Sequence, residues 1–129
     1  MTTADQIFAH AIGDYVIQSD WMANEKTKQS LAAACHALSY AIPFLWLRPS
    51  IAAMVVIIGT HFVIDRWRLA RFVVYAKNLV APKAYRFKWL DCAGTGYHKD
   101  RPAWLAVWLL IIADNVMHIA INAMALRYL

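Results

Sequence analysis

The residues best suited to chemistry in this chain are histidines and aspartates, and they recur in a pattern. His10 and Asp14 sit in "HAIGD", His61 and Asp65 in "HFVID", and Asp114 and His118 in "DNVMH". Three of the five histidines thus have an aspartate four positions away, one turn along the same helix face. Random placement would produce three such pairs in roughly one chain of this composition in a hundred. His36 stands alone in an apolar stretch between the first and second pairs. Imidazole and carboxylate on one face offer metal ligands, and packing several such helices brings them together at a bundle axis. The candidate metal ligands are therefore His10, Asp14, His36, His61, Asp65, Asp114 and His118.

Nitrogen and oxygen donors without thiolate suit zinc, manganese or iron, and the set is large enough for one ion or two. Such an ion lowers the pKa of bound water, with Asp14, Asp65 or Asp114 available as general base. Lys26, Arg66, Arg68 and Arg71 are candidates for holding an anionic phosphate or lipid headgroup. Tyr15, Gln18 and Asn115 are placed to orient ligands from behind. Cys35 and Cys92 lack metal-type spacing and call for no disulfide framework; Cys35 reads as a small core residue.

These residues must be held by helices in an apolar surrounding. The chain has 129 residues, 61% of them hydrophobic, and a mean hydropathy of +0.42, more than a small soluble globule needs for its core. An all-α integral membrane bundle of about four helices, in a single domain over 1–129, is the expected fold. A first segment near Ala4 to Met22 is amphipathic and spans, re-enters or lies along the surface, with Thr3 or Asp5 as its cap. Leu31 to Leu47 and Ile51 to Ile64 flank the short turn "RPS", which forces an antiparallel hairpin. The third helix is expected to continue through "DRWRLARFVVYAKNLV" as a basic extension until Pro82 ends it. Ala103 to Leu126, with Trp104 and Trp108 at one end and Tyr128 at the other, is long enough for the roughly 30 Å hydrocarbon core.

Orientation follows from the cations. The net charge of +5 is concentrated in Arg66, Arg68, Arg71, Lys77, Lys83, Arg86, Lys88, Lys99 and Arg101, which puts the polar loop 82–102 on the cytoplasmic side. Apolar runs on both sides of this block favour a juxtamembrane loop over a specific nucleic-acid surface. The opening "MTTADQ" lacks the basic region of a cleavable signal. The lipid bilayer is thus the expected partner, and self-association is left open.

The order "HAIGDYVIQSDWMANEK", then a helix with His36, then "THFVID" and a last helix with "DNVMH", resembles a family of small bacterial and phage membrane proteins labelled as a domain of unknown function. The resemblance implies a helical membrane protein, often phage or prophage encoded, with no established activity; the bacterial inner membrane is the expected location. It is matched at His10, Asp14, Tyr15, Gln18, Lys26, His36, His61, Asp65, Asp114 and His118. A more distant likeness is to inner-membrane proteins described as metal-dependent hydrolases, whose His-Ser motif is missing here, as is the His-Asp dipeptide of soluble phosphohydrolases.

Two classes of function follow. One is a membrane-embedded metal-dependent hydrolase acting on a phosphoester or lipid phosphate. The other is a non-enzymatic membrane protein: a proton or metal-ion pathway, or a module binding a phage or host membrane partner. A soluble helical bundle that binds nucleic acid is a weaker third.

Overall fold

The computed structural model describes residues 3–129 and is helical throughout, with no strand among the described residues. Of the opening "MTTADQ", Met1 and Thr2 lie outside the described residues. The α-helices are α1 (Thr3–Ala11), α2 (Asp20–Glu25), α3 (Ser30–Ala41), α4 (Ile51–Trp67), α5 (Ala70–Asn78), α6 (Trp89–Cys92) and α7 (Ala103–Tyr128). A π-helical segment, Ile12–Ile17, prolongs α1, and a 3₁₀ segment, Ile42–Leu47, prolongs α3. Contacts group the chain into two compact units, residues 3–68 with His118–Leu129, and Leu69–Met117, so α7 contributes to both.

In the first unit α3 packs along α4. The face that α3 buries is Ala32, Ala33, His36, Ala37, Tyr40 and Ala41, and its alanines let the helix backbones approach closely. The matching face of α4 buries Ala53, Ile57, His61, Ile64 and Asp65, the four- and seven-residue spacing of one helical stripe. From α7 come His118, Asn122 and Ala125, again spaced by four and three. Tyr40, Phe44 and Ile57 are the largest apolar side chains sealed in this core. The "RPS" turn forms as expected: Arg48 takes a left-handed conformation (φ 50°), and the Ser50 hydroxyl accepts from the Ala53 N–H at 3.0 Å to cap α4.

Two helices end earlier than their apolar pattern predicts. The first segment does not run to Met22; it breaks after Ile17, and Ser19 starts the separate helix α2 by accepting from the Met22 N–H. The third does not run on to Pro82 as one helix. Arg68 turns left-handed (φ 53°), its N–H closing on the Ile64 and Asp65 carbonyls, and α5 starts afresh at Ala70.

The second unit is built on α5, α6 and the start of α7. Phe72 stacks on Trp89 at 4.8 Å, and the Arg71 guanidinium donates to the Ala93 carbonyl at 2.9 Å. Gly96 has φ 86°, and a Cβ there would run into the Arg71 carbonyl and Val74, so this turn requires glycine. Lys99 Nζ bonds Asp91 at 2.9 Å; this hydrogen bond and charge hold the Asp91 carboxyl below its usual range and raise Lys99 in turn.

Candidate metal centre

Four side chains from three elements converge inside the first unit. Asp14 comes from the π segment, His36 from α3, and His61 and Asp65 from α4. All four residues are buried, and their ligand atoms lie within 4.8 Å of one another. The Nε2 atoms of His36 and His61 are 2.9 Å apart. His36 Nε2 is 3.1 Å from both Asp14 Oδ1 and Asp65 Oδ2, and His61 Nε2 is 3.4 Å from each. A tetrahedral ion with bonds of about 2.0–2.1 Å separates its ligands by about 3.3 Å. These five separations, 2.9–3.4 Å, bracket that edge length. Two carboxylates and two imidazole nitrogens turned toward one point form a negatively biased cage, which a divalent cation would neutralise.

Local structure explains the convergence. Gly13 lets the π segment lie directly on α3: a Cβ there would stand 2.6 Å from Tyr40 Cδ2 and 2.8 Å from the Tyr40 carbonyl oxygen. The widened π turn is a recurring feature of functional sites, and here it carries Asp14. Tyr40 supports the cluster from below. Its ring stacks on His61 with centroids 3.6 Å apart and an interplanar angle of 11°. Its hydroxyl shares a 2.8 Å hydrogen bond with His10 Nδ1 and accepts from Asn122 Nδ2 at 2.6 Å.

A second ring of groups surrounds the four. Lys26 Nζ lies 2.7 Å from Asp65 Oδ2 and 3.2 Å from His36 Nε2, and donates to Gln18 Oε1 at 2.7 Å. His118 Nε2 approaches the other oxygen of Asp65 at 3.2 Å. His10 Nδ1 stands 3.5 Å from Asp14 Oδ2.

The sequence pairs are therefore used unequally. Only "HFVID" delivers both of its members to the cluster. From "HAIGD", Asp14 joins the four while His10 turns to Tyr40; from "DNVMH", His118 reaches Asp65, and the half-buried Asp114 offers a carboxylate oxygen within 4.8 Å of a His118 ring nitrogen. Lys26 and Gln18 lie at the cluster. Tyr15 is 60% exposed, and Asn115 donates to the Ile111 carbonyl on its own helix. Of the expected anion-binding arginines, Arg66 donates to the Thr27 carbonyl and the Ser30 hydroxyl, the Arg68 backbone N–H closes α4, and in the second unit Arg71 donates to the Ala93 carbonyl. Tyr40 is not among the candidate ligands or their supports named from the sequence, although its position four residues after His36 puts it on the same face.

Residues 3–128 match the family described as "Protein of unknown function (DUF3307)", and the chain belongs to that family. No curated protein and no solved structure matches it.

Proposed function

We propose that this chain is a metalloprotein of the bacterial inner membrane that hydrolyses a phosphoester, with a lipid phosphate as the favoured substrate class. The observation that carries the reading is the convergence of Asp14, His36, His61 and Asp65 at the ligand spacing of a divalent ion. Zinc, manganese and iron all suit two imidazoles and two carboxylates. Asp14, His36, His61 and Asp65 would hold the ion, which would supply Lewis acidity and, at a fifth position beyond these four ligands, an acidified water. Lys26, the cluster's cation, is the residue to hold a phosphate oxygen.

Membrane association is supported by two helical stretches long and apolar enough to cross a bilayer, Ser30–Leu47 and Ala103–Tyr128. Only 11% of the best window in the second is buried, which is unlike the core helix of a soluble protein. Leu38, Leu45 and Trp46 on the first stretch also face outward.

A second reading, a proton or metal-ion pathway, is favoured by one feature. Lys26, His36, His61, Asp14, Asp65 and His118 form an unbroken chain of polar contacts no longer than 3.4 Å. The deciding experiment is metal content per chain for protein purified in detergent, followed by turnover of short-chain lipid phosphates. One ion per chain, lost in His36→Ala and His61→Ala together with turnover, is the expected result. A folded protein that takes up none of the three metals would overturn the reading; bound metal with no turnover, but with proton or metal flux into liposomes, would move it to the pathway.

A further inference from the structure

The second unit contains a cavity of about 400 Å³ whose walls are aromatic and aliphatic: Tyr85, Phe87, Tyr97, Leu105, Ala106 and Leu109. Its polar groups are few, Asn78, His98 and Arg101. Pockets of roughly 300–1,000 Å³ with apolar walls and a few convergent polar groups are the usual form of small-molecule sites.

Arg101 gives this cavity a charge preference. Its guanidinium lies 5.6 Å from the Tyr85 ring centroid and 5.8 Å from that of Phe87, so two aromatic rings hold it in place. No carboxylate is within ion-pair distance of it among the described residues. Of the acids nearby in sequence, Asp91 pairs with Lys99, and the Asp100 carboxylate, 78% exposed, stands 3.5 Å from His98 Nδ1. The turn that closes with the Arg101 N–H on the His98 carbonyl, at 3.0 Å, brings both side chains to the cavity. A second cation, Lys77, sits 5.2 Å from the Tyr97 ring centroid.

We propose that this cavity binds an anionic amphiphile, with a phosphate on the Arg101 guanidinium and an apolar chain against Tyr85, Phe87, Leu105 and Leu109. A planar guanidinium without a carboxylate partner is suited to two-point binding of phosphate oxygens. Apart from Arg101, Asn78, His98 and the two tyrosine hydroxyls, the lining is apolar. The membrane is the favoured source, because Leu105, Ala106 and Leu109 occupy the first turns of α7, where Trp104 and Trp108 are 69% and 62% exposed. Exposed tryptophans at the end of a long apolar helix mark the depth of lipid headgroups. This cavity shares no residue with the Asp14/His36/His61/Asp65 cluster, and the proposal stands or falls without it.

The test is calorimetry on the full chain in detergent, titrated with dihexanoyl phosphatidic acid, dihexanoyl phosphatidylcholine and inorganic phosphate in separate runs. Phosphatidic acid is expected to bind at least tenfold more tightly than either of the others. Arg101→Ala and Leu109→Trp, the second filling the cavity, are each expected to weaken it tenfold or more, with helicity by circular dichroism unchanged. Ala81→Phe repeats the filling from the turn that follows α5 should Leu109→Trp disturb the fold, and Arg48→Ala in the first unit is expected to change nothing. Equal affinity for phosphatidic acid and inorganic phosphate would overturn the proposal in favour of a simple phosphate site. Binding that ignores both cavity-filling variants, or no binding of phosphatidic acid, would overturn it outright.

Discussion

Asp65 carries more of the cluster than any other side chain, since one oxygen meets Lys26, His36 and His61 and the other meets His118. Removing its charge strands the Lys26 ammonium beside imidazoles, and breaking a buried pair from one side costs about 3 kcal/mol or more. Asp65→Asn is therefore expected to lower the stability of metal-free protein by about 3 kcal/mol, and Lys26→Met in the same chain to restore part of the loss; denaturant titration of the four-member cycle measures the coupling. Additive losses would mean the two groups do not interact. Tyr40 makes a different kind of contribution. Tyr40→Phe keeps the stack on His61 but removes the hydroxyl from His10 and Asn122, both about 1–2% exposed. Leaving buried polar groups without that partner is expected to cost about 1–3 kcal/mol, read as a lower unfolding midpoint with metal stoichiometry intact.

At the scale of elements, two glycines in helical segments make opposite predictions. Gly13 has Tyr40 side-chain and backbone atoms 2.6–3.1 Å from where a Cβ would stand, so Gly13→Ala must push the π segment off α3 and carry Asp14 away. A loss of about 1–3 kcal/mol is expected, together with weaker metal uptake. Gly59, in the middle of α4, has nothing within 4 Å of that position. Gly59→Ala is expected to stabilise by about 0.5–1 kcal/mol through helix propensity alone. Equal effects in the two variants, measured by thermal unfolding, would contradict the packing described. The same elements show what could be read in advance. The apolar runs of α3, α4 and α7 marked their helices well, while the change to 3₁₀ geometry after Ala41, with Pro43 in its first turn, lay inside one of those runs. The breaks at Gln18 and Arg68 were hidden: Ser19 is a cap only once the preceding turn has unwound, and a left-handed arginine carries no glycine signal. Four-residue spacing likewise placed His10 with Asp14, and Asp114 with His118, on shared helix faces. It could not say how deep each side chain would sit, because that depends on which helix packs opposite.

At the scale of the molecule, the charge distribution bears on which side of a bilayer the loop occupies. The chain carries 13 lysines and arginines against 8 aspartates and glutamates, and the segment from Arg66 to Arg101 holds most of the excess. Lysines and arginines in short loops are retained on the cytoplasmic side during insertion, largely irrespective of nearby acids. Residues 82–102 should accordingly face the cytoplasm, next to a helix, Ala103–Tyr128, of length sufficient to cross. Lys83 and Lys99 are exposed positions in this loop and serve as reporters in a chain whose Cys35 and Cys92 are replaced by alanine. Lys83→Cys and Lys99→Cys are expected to react with an impermeant maleimide in inverted inner-membrane vesicles and to stay unlabelled in intact spheroplasts. Labelling in spheroplasts would reverse the orientation, and release of the chain by alkaline carbonate would remove it from the bilayer altogether. Orientation also bears on the proposed lipid site: with the loop inside, the Arg101 cavity would draw an anionic lipid from the cytoplasmic leaflet, where basic segments are attracted to negative surface charge.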